Sequence, residues 1–135
     1  MYARWLALAA LMLTACATPT APTTAAAIHL SGTNWTRTDD EDANPHAPTM
    51  QFGDARVSGY DGCNRYFASV TQDGESIRFG AVSSTRMACE AEPTAAAERR
   101  FLAVLAAARY AHYDQDVLVL LDADQHQLAT FSNDH

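Results

Sequence analysis

Apolar and polar residues alternate along much of the chain from residue 33 onward, which is the pattern of half-buried β-strands. The pattern predicts strands at residues 33–38, 48–52, 56–60, 65–71, 76–79, 117–121 and 127–131. The dipeptides Asp61-Gly62 and Asp73-Gly74 are typical turns between strands, and the second one predicts a hairpin. The domain therefore begins with several short strands.

The period changes between residues 94 and 108, where the segment is dense in helix-forming residues. One face of the predicted helix carries Ala97, Phe101, Leu105 and Ala108. Glu98, Arg99 and Arg100 lie towards the opposite, polar face. Strands, one helix and further strands predict an α+β domain, in which a twisted, mostly antiparallel and partly barrel-like β-sheet packs on one main α-helix.

The N-terminal segment has the organisation of an export signal. Arg4 supplies a positive start, and residues 5–13 are apolar. This apolar run is too short to cross a hydrocarbon core, which needs about 20 residues. We therefore predict a signal peptide over residues 1–15 and not a transmembrane helix.

The end of this segment, Leu13-Thr14-Ala15-Cys16, resembles the lipobox of bacterial lipoproteins. The resemblance implies cleavage before Cys16 and a diacylglyceryl group on its sulfur, which anchors the protein in a membrane. Residues 17–27 are only Thr, Ala and Pro, so residues 16–29 are predicted to be a tether. Ala17 stands where an aspartate commonly retains lipoproteins in the inner membrane, which implies the outer membrane, facing the periplasm. The alternative is an ordinary secretory signal that is cut nearer residues 25–27 and leaves a soluble protein.

The charge balance excludes several classes of function. Without the predicted signal peptide, eight arginines face sixteen acidic residues, a formal charge of −8. A domain this acidic is not expected to bind nucleic acid, since phosphate contacts need a basic face. The chain has no lysine, which excludes lysine Schiff bases, pyridoxal phosphate attachment and phosphate-loop nucleotide sites. No cofactor is predicted.

Two motifs lie at either end of the segment between residues 62 and 89. Gly62-Cys63-Asn64-Arg65-Tyr66 comes first, and Thr85-Arg86-Met87-Ala88-Cys89 follows. Their sequence and spacing resemble the META/HslJ-like domain, and the resemblance extends over residues 30–131, within a domain that we place at 30–135. It implies an envelope lipoprotein linked to heat or antibiotic stress tolerance, with no established enzymatic activity. Ala68 and Val70 depart from the glycine and tyrosine that are common in the family.

The cysteines are best explained by one disulfide. If Cys16 carries the lipid, Cys63 and Cys89 remain as an even pair in an oxidising compartment, which predicts an intramolecular bridge. A nucleophilic cysteine would need a histidine base and a group that orients it. The five histidines lie in unrelated segments of the chain. We therefore predict no catalytic residue.

No metal site is predicted either. Zinc would need further ligands at short spacing beside the cysteines. The acidic runs at residues 39–42 and 122–124 lack the alternation, glycine and distant glutamate of a calcium-binding EF-hand loop. Both runs are expected to be solvated loops.

A disulfide between the two motifs would hold Asn64, Arg65, Thr85 and Arg86 side by side. They would form a rigid polar corner at one end of the sheet, which is our candidate contact surface. Asn64 has a structural alternative, since a turn asparagine can satisfy local backbone groups. An arginine fork can pair with a carboxylate inside the fold or bind an anionic ligand, so both roles stay open for Arg65 and Arg86.

Three functions remain at this point. The favoured one is a non-enzymatic envelope lipoprotein that supports stress tolerance by binding another envelope component. The second is a small-ligand or protease-inhibitor module that presents loops such as 39–48 at the membrane surface. The third is an enzyme, for which the sequence supplies no constellation of residues. A deep apolar cavity would favour the second function, and a filled core would favour the first.

Overall fold

The computed structural model describes residues 16–17 and 29–133. The predicted signal peptide, 1–15, and most of the predicted tether lie outside the described residues. The strands are β1 Asn34–Arg37, β2 Thr49–Gly53, β3 Arg56–Tyr60, β4 Arg65–Asp73, β5 Ser76–Phe79, β6 Ser83–Ser84, β7 Tyr110–Asp114, β8 Val117–Leu121 and β9 Gln127–Asn133. Helix α1 is Glu92–Ala107, and Glu41–Ala43 forms a short 3₁₀ helix.

The strands form one antiparallel sheet that closes on itself. Eight of them follow one another in the hydrogen-bonded order β3-β2-β1-β9-β8-β7-β5-β4. Strand β4 then pairs back with β3, with Val57 opposite Ala68, so the eight strands make a closed barrel. Strand β6 is outside this ring and pairs with β4 through Tyr66 and Phe67. The predicted α+β fold with a partly barrel-like sheet is confirmed.

Alternation along the strands decides which side chains fill the barrel. In β4 the side chains of Tyr66, Ala68 and Val70 are buried, whereas Arg65 and Phe67 are exposed. Other large side chains that are at most 1% exposed are Leu30, Trp35, Met50, Ile77, Phe101, Leu105, Leu118, Leu120 and Phe131. Aromatic and branched side chains therefore occupy the interior of the domain.

Helix α1 contributes its apolar face to the same core, as the sequence predicts. Phe101 is completely buried, and its ring lies 5.2 Å from that of Tyr66 and 6.4 Å from that of Phe131. The helix begins at Glu92, two residues before the predicted start, because Pro93 is well suited to a first helical turn. No helix in the described ranges combines the length and apolar character that crossing a membrane requires.

The acidic run at residues 39–42 is not simply a solvated loop, which corrects the sequence-based expectation. The Asp40 side chain is only 7% exposed, and both of its oxygens accept hydrogen bonds from Arg100 of α1, at 2.8 and 2.9 Å. Arg37 of β1 lies 2.8 Å from Asp39 and 3.6 Å from Asp40. The run therefore links the helix to the barrel through ion pairs.

Candidate functional site

The first motif forms a tight turn between β3 and β4 that Asp61 organises. One carboxylate oxygen of Asp61 accepts the backbone N–H groups of Cys63 and Asn64, at 2.9 and 2.6 Å. The backbone N–H of Asp61 donates back to the Asn64 carbonyl at 2.9 Å. The Asp61 side chain is fully buried, so the turn has a fixed shape.

Gly62 lets this turn pass close to helix α1. Its φ of +105° lies in a region that favours glycine, and a Cβ there would lie 3.1 Å from the Ala97 Cβ. The same Cβ would lie 3.3 Å from the backbone nitrogen of Glu98. A larger residue at position 62 would push the turn away from the helix.

Cys63 and Cys89 form a disulfide, as the sequence predicts. Their Cα atoms are 5.8 Å apart, which is within the range of 4.4–6.8 Å that a bridge requires, and 26 positions separate them in sequence. The bridge attaches residues 85–89, which we call the strap, to the turn before β4. Cys63 is 8% exposed and Cys89 is half-buried, so the bond lies at the boundary of the core.

Asn64 holds the strap from the inside. Its side-chain oxygen accepts the backbone N–H of Met87 at 2.6 Å and the Thr85 hydroxyl at 3.0 Å. Its Nδ2 lies 3.2 Å from the Met87 carbonyl oxygen and 3.3 Å from Oε1 of Glu98. From its place in the turn, Asn64 therefore forms hydrogen bonds with the strap and with helix α1 at the same time.

Glu98, which the sequence pattern predicts on the polar face of the helix, is a member of this site. The side chain is half-buried instead, and its Oε2 lies 3.1 Å from the Cys89 sulfur. A sulfur in a disulfide has no proton to donate, so this is a close contact and not a hydrogen bond. The signal that could have indicated this role is the position of Glu98 one turn before Phe101 in the family-like helix motif.

We call the group Asp61, Cys63, Asn64, Met87, Cys89 and Glu98 the disulfide corner. Its hydrogen bonds join the turn before β4, the strap and helix α1. The two sulfurs and Glu98 are close enough to surround a metal ion, yet sulfurs that are bonded to each other are not thiolate ligands.

The candidate contact surface contains three of the four residues that the sequence predicts for it. Arg65, Thr85 and Arg86 are exposed and lie together, since the backbone N–H of Thr85 donates to the Arg65 carbonyl at 3.1 Å. Asn64 is only 2% exposed, which corrects its predicted place on this surface. Its polar atoms are used inside the fold, in line with the structural alternative.

Tyr66 continues the motif into the core. Its hydroxyl donates to the Thr49 carbonyl at 2.8 Å and thereby ties β4 to β2. Burial raises the pKa of Tyr66 strongly, and the nearby Asp61 carboxylate raises it further. The tyrosine therefore stays protonated and serves as a hydrogen-bond donor.

A second group of possible metal ligands, Asp122, Asp124 and His126, lies in the turn between β8 and β9. One Asp122 oxygen accepts the backbone N–H groups of Asp124 and His126, both at 2.9 Å. These hydrogen bonds lower the pKa of Asp122, with that of the His126 N–H as the largest cause. The carboxylate therefore stabilises the turn.

Comparison with known proteins agrees with this architecture. A protein from Burkholderia xenovorans, solved by NMR, has a TM-score of 0.63 at 21% identity, and the match covers 87% of this chain and 99% of that one. A DUF4847 family protein from Bacteroides vulgatus, solved by crystallography, has a TM-score of 0.59 at 14% identity, over 76% and 93% of the two chains. At these identities the likeness shows the fold alone. No curated protein matches this chain.

The family is decided by a sequence match. The model of the META domain matches residues 26–135, which is most of the chain and includes both motifs of the disulfide corner. The resemblance seen in those motifs is thus confirmed over the whole domain. The chain belongs to the META domain family.

Proposed function

We propose that this protein is a lipid-anchored envelope protein whose META domain catalyses no reaction and binds another envelope component, in support of tolerance to heat, antibiotics or other envelope stress. The observation that carries the proposal is the Cys63–Cys89 disulfide, since such bonds persist in oxidising compartments outside the cytoplasm. It fits the export signal and the lipobox-like segment that ends at Cys16.

The use of the polar groups supports a binding role over catalysis. Asn64 and Asp61 are buried and hydrogen-bonded within the disulfide corner, and Glu98 lies against the disulfide. A catalytic site needs a base or nucleophile that can reach a substrate. The hydrogen bonds of these groups instead hold the turn, the strap and the helix together, and the second Asp61 oxygen is buried without a hydrogen-bond partner among the described residues.

The filled core supports binding through the outer surface. Trp35, Phe101 and Phe131 are at most 1% exposed and lie in the interior that a hydrophobic ligand would need. A groove of about 400 Å³ beside Tyr60 and Arg65 is open to solvent. This arrangement favours a surface-binding module over an enclosed small-ligand carrier.

The anchor is tested by the variant Cys16→Ser. The hydroxyl cannot replace the thioether, so the variant should lose its acyl mass and leave the membrane fraction. The matched control is Ala17→Asp, which should keep the acyl mass and move to the inner membrane, as the resemblance to lipoproteins implies. A Cys16→Ser protein that stays in the membrane pellet after a salt wash would refute the anchor.

Binding of an envelope component is tested by cross-linking in intact cells. A photoreactive p-benzoylphenylalanine replaces Arg86, and in a matched control it replaces the exposed Gln127 of β9. We expect an adduct from position 86, identified by mass spectrometry, and none from position 127. The absence of an adduct at position 86, with and without heat stress, would contradict a contact surface at this corner.

A further inference from the structure

Four of the eight arginines after the predicted signal peptide have no carboxylate partner within the described part of the chain. The other four are committed elsewhere. Arg37 pairs with Asp39 and Asp40, and Arg100 pairs with Asp40. Arg99 pairs with Glu92, and Arg109 donates to backbone carbonyls. The uncommitted ones are Arg56, Arg65, Arg78 and Arg86, and all are exposed. In a chain of formal charge −7, such a set of uncompensated arginines calls for an explanation.

These arginines share one outer face of the barrel. Arg56 of β3 lies opposite Ser69 of β4, and Arg78 of β5 lies opposite Thr71. Arg65, Ser69 and Thr71 alternate along β4 on the exposed side, so the three strands carry their arginines outward together. The face extends about 20 Å along β4, at roughly 3.3 Å per residue. Arg86 follows Thr85 beside Arg65.

Phe67 lies in the middle of this face and is 61% exposed. Its neighbours across the sheet are Ser58 of β3 and Ser83 of β6, two small side chains that cannot cover the ring. A large apolar side chain flanked by arginines is a combination that suits the boundary between lipid headgroups and acyl chains. We call Arg56, Arg65, Phe67, Arg78 and Arg86 the arginine face.

The chain enters the domain beside the arginine face. The backbone nitrogen of Leu30 lies 3.4 Å from the side-chain oxygen of Gln72, near the end of β4. His29 and Ser31 line a shared groove with Val70, Thr71 and Gln72. The segment that leads back to Cys16 therefore joins the domain next to Thr71, the residue opposite Arg78.

We propose that the arginine face docks on anionic phospholipid headgroups of the membrane that holds the anchor, with Phe67 inserted at the interface. This inference rests on the proposed function, because the lipid on Cys16 keeps the face near the membrane. Arginine forks bind phosphate groups in a bidentate manner, and a lipid surface offers many phosphates in one plane. Three acidic residues border the face: Asp54 lies in the β2–β3 turn, Asp73 ends β4, and the exposed Glu90 follows Arg86 by four residues.

A membrane explains these observations better than an acidic protein partner does. An anchored domain meets the membrane at high effective concentration, and the position of its tether decides which face comes close. An arginine near an anionic membrane strengthens binding by roughly five-fold. A protein partner would not require the face to lie beside the point where the tether joins.

The test uses the mature, lipidated protein with Phe67→Trp, reconstituted in vesicles that carry brominated acyl chains. Trp35 is buried and gives a constant background that the parent protein measures. In phosphatidylcholine vesicles with phosphatidylglycerol, the emission of the new tryptophan should shift to the blue and be quenched. In phosphatidylcholine alone, or at about 1 M salt, where the Debye length falls to about 3 Å, quenching should be lost.

Matched variants test whether docking depends on the charge of the arginine face or only on the net charge of the protein. In the Phe67→Trp background, Arg78→Gln should reduce the ratio of docked to undocked protein about five-fold. Arg99→Gln removes the same charge from the helix and should change the ratio less than two-fold. In the parent protein with Phe67 unchanged, Val117→Trp places a tryptophan at an exposed position of β8, on another part of the barrel. Its fluorescence should not be quenched.

The possible outcomes show whether the lipid anchor, the docking of the arginine face, or both proposals fail. A protein without acyl mass that does not float with vesicles would overturn the proposed function and this docking mode together. A lipidated protein that floats with anionic vesicles but leaves the tryptophan at position 67 unquenched would overturn the docking alone. Equal quenching in neutral and anionic vesicles, or an adduct of the face with a protein while lipid quenching is absent, would also overturn it.

Discussion

The side-chain nitrogen of Asn64 donates to the carboxylate of Glu98 at 3.3 Å, across 34 positions of the sequence. The same nitrogen lies 3.2 Å from the carbonyl oxygen of Met87. One amide therefore connects the turn before β4, the strap and helix α1. The disulfide secures the strap covalently, and Asn64 determines how the strap lies against the helix.

Asn64→Ala should destabilise the domain by about 2–4 kcal/mol. Asn64 is 2% exposed, and the change removes four hydrogen bonds of its side chain, each worth about 0.5–1.5 kcal/mol: those with the Met87 N–H, the Thr85 hydroxyl, the Met87 carbonyl and Glu98. Urea unfolding measures the free-energy difference. Asn34→Ala, at an exposed position of β1, is the control and should stay within about 0.5 kcal/mol of the parent. A loss below about 1 kcal/mol for Asn64→Ala would show that the strap does not depend on this amide.

Loss of the disulfide should cost roughly 3.5 kcal/mol, which is the unfolded-chain entropy of closing a loop of about 26 residues. The double variant Cys63→Ala/Cys89→Ala removes the bridge without leaving a free thiol, and urea unfolding compares it with the parent under oxidising conditions. A thiol count on the denatured, non-reduced mature protein is the direct check. The expected count is zero when Cys16 carries its lipid, and two free thiols would exclude the bridge.

The buried face of α1 should be essential for stability. Phe101→Ala should cost about 3–5 kcal/mol and Leu105→Ala about 2–5 kcal/mol, since both side chains are at most 1% exposed. Leu102 on the same helix is half-buried, so Leu102→Ala should cost clearly less than Leu105→Ala. Thermal or urea unfolding that ranks Leu102 above Leu105 would mean that the helix face is assigned wrongly.

Stability should fall as the pH rises past about 10, the ordinary value for a tyrosine. Burial and the Asp61 carboxylate raise the pKa of Tyr66 in the folded state, so the unfolded chain loses this proton first and alkaline conditions favour unfolding. Tyr66→Phe removes the titrating group. Between pH 8 and pH 11, the variant should therefore lose less stability than the parent. Equal losses in urea unfolding would contradict a role of Tyr66 in the alkaline sensitivity.

At neutral pH the same Tyr66→Phe variant should be less stable than the parent by about 0.5–1.5 kcal/mol, because the hydrogen bond to the Thr49 carbonyl is lost. The effect at neutral pH and the relief at alkaline pH have opposite signs. This reversal separates the titration of Tyr66 from a general loss of packing.

Seven of the strands and the helix are predictable from the sequence because each carries its own pattern. In β4, for example, Tyr66, Ala68 and Val70 alternate with exposed positions, and the fold buries these three side chains. Strand β7 lacks such a pattern, since Ala111 is its only buried residue. It is a strand because its backbone pairs with β8, and that pairing cannot be seen in the local sequence. Strand β6 has two serines and exists because β4 offers it a partner.

The disulfide of the site could be predicted from the sequence, whereas the contacts of the charged side chains could not. The bridge between Cys63 and Cys89 follows from the predicted oxidising compartment and from the even pair of cysteines that remains if Cys16 carries the lipid. The places of Glu98 and Asp40 depend on which groups other segments bring near them, and a single sequence does not contain that information. Both residues occur in runs of charge that look solvated, yet one contacts the disulfide and the other binds Arg100.

Closure of the barrel through β3 and β4 should also lower the tendency of the protein to aggregate at high concentration. A sheet with free edges presents unpaired backbone groups that can nucleate aggregation with neighbouring molecules. Here the ring leaves no long edge among the described strands, and the strand outside the ring, β6, is only two residues long. Heat that loosens side-chain packing therefore leaves little backbone on which amyloid-like growth could start.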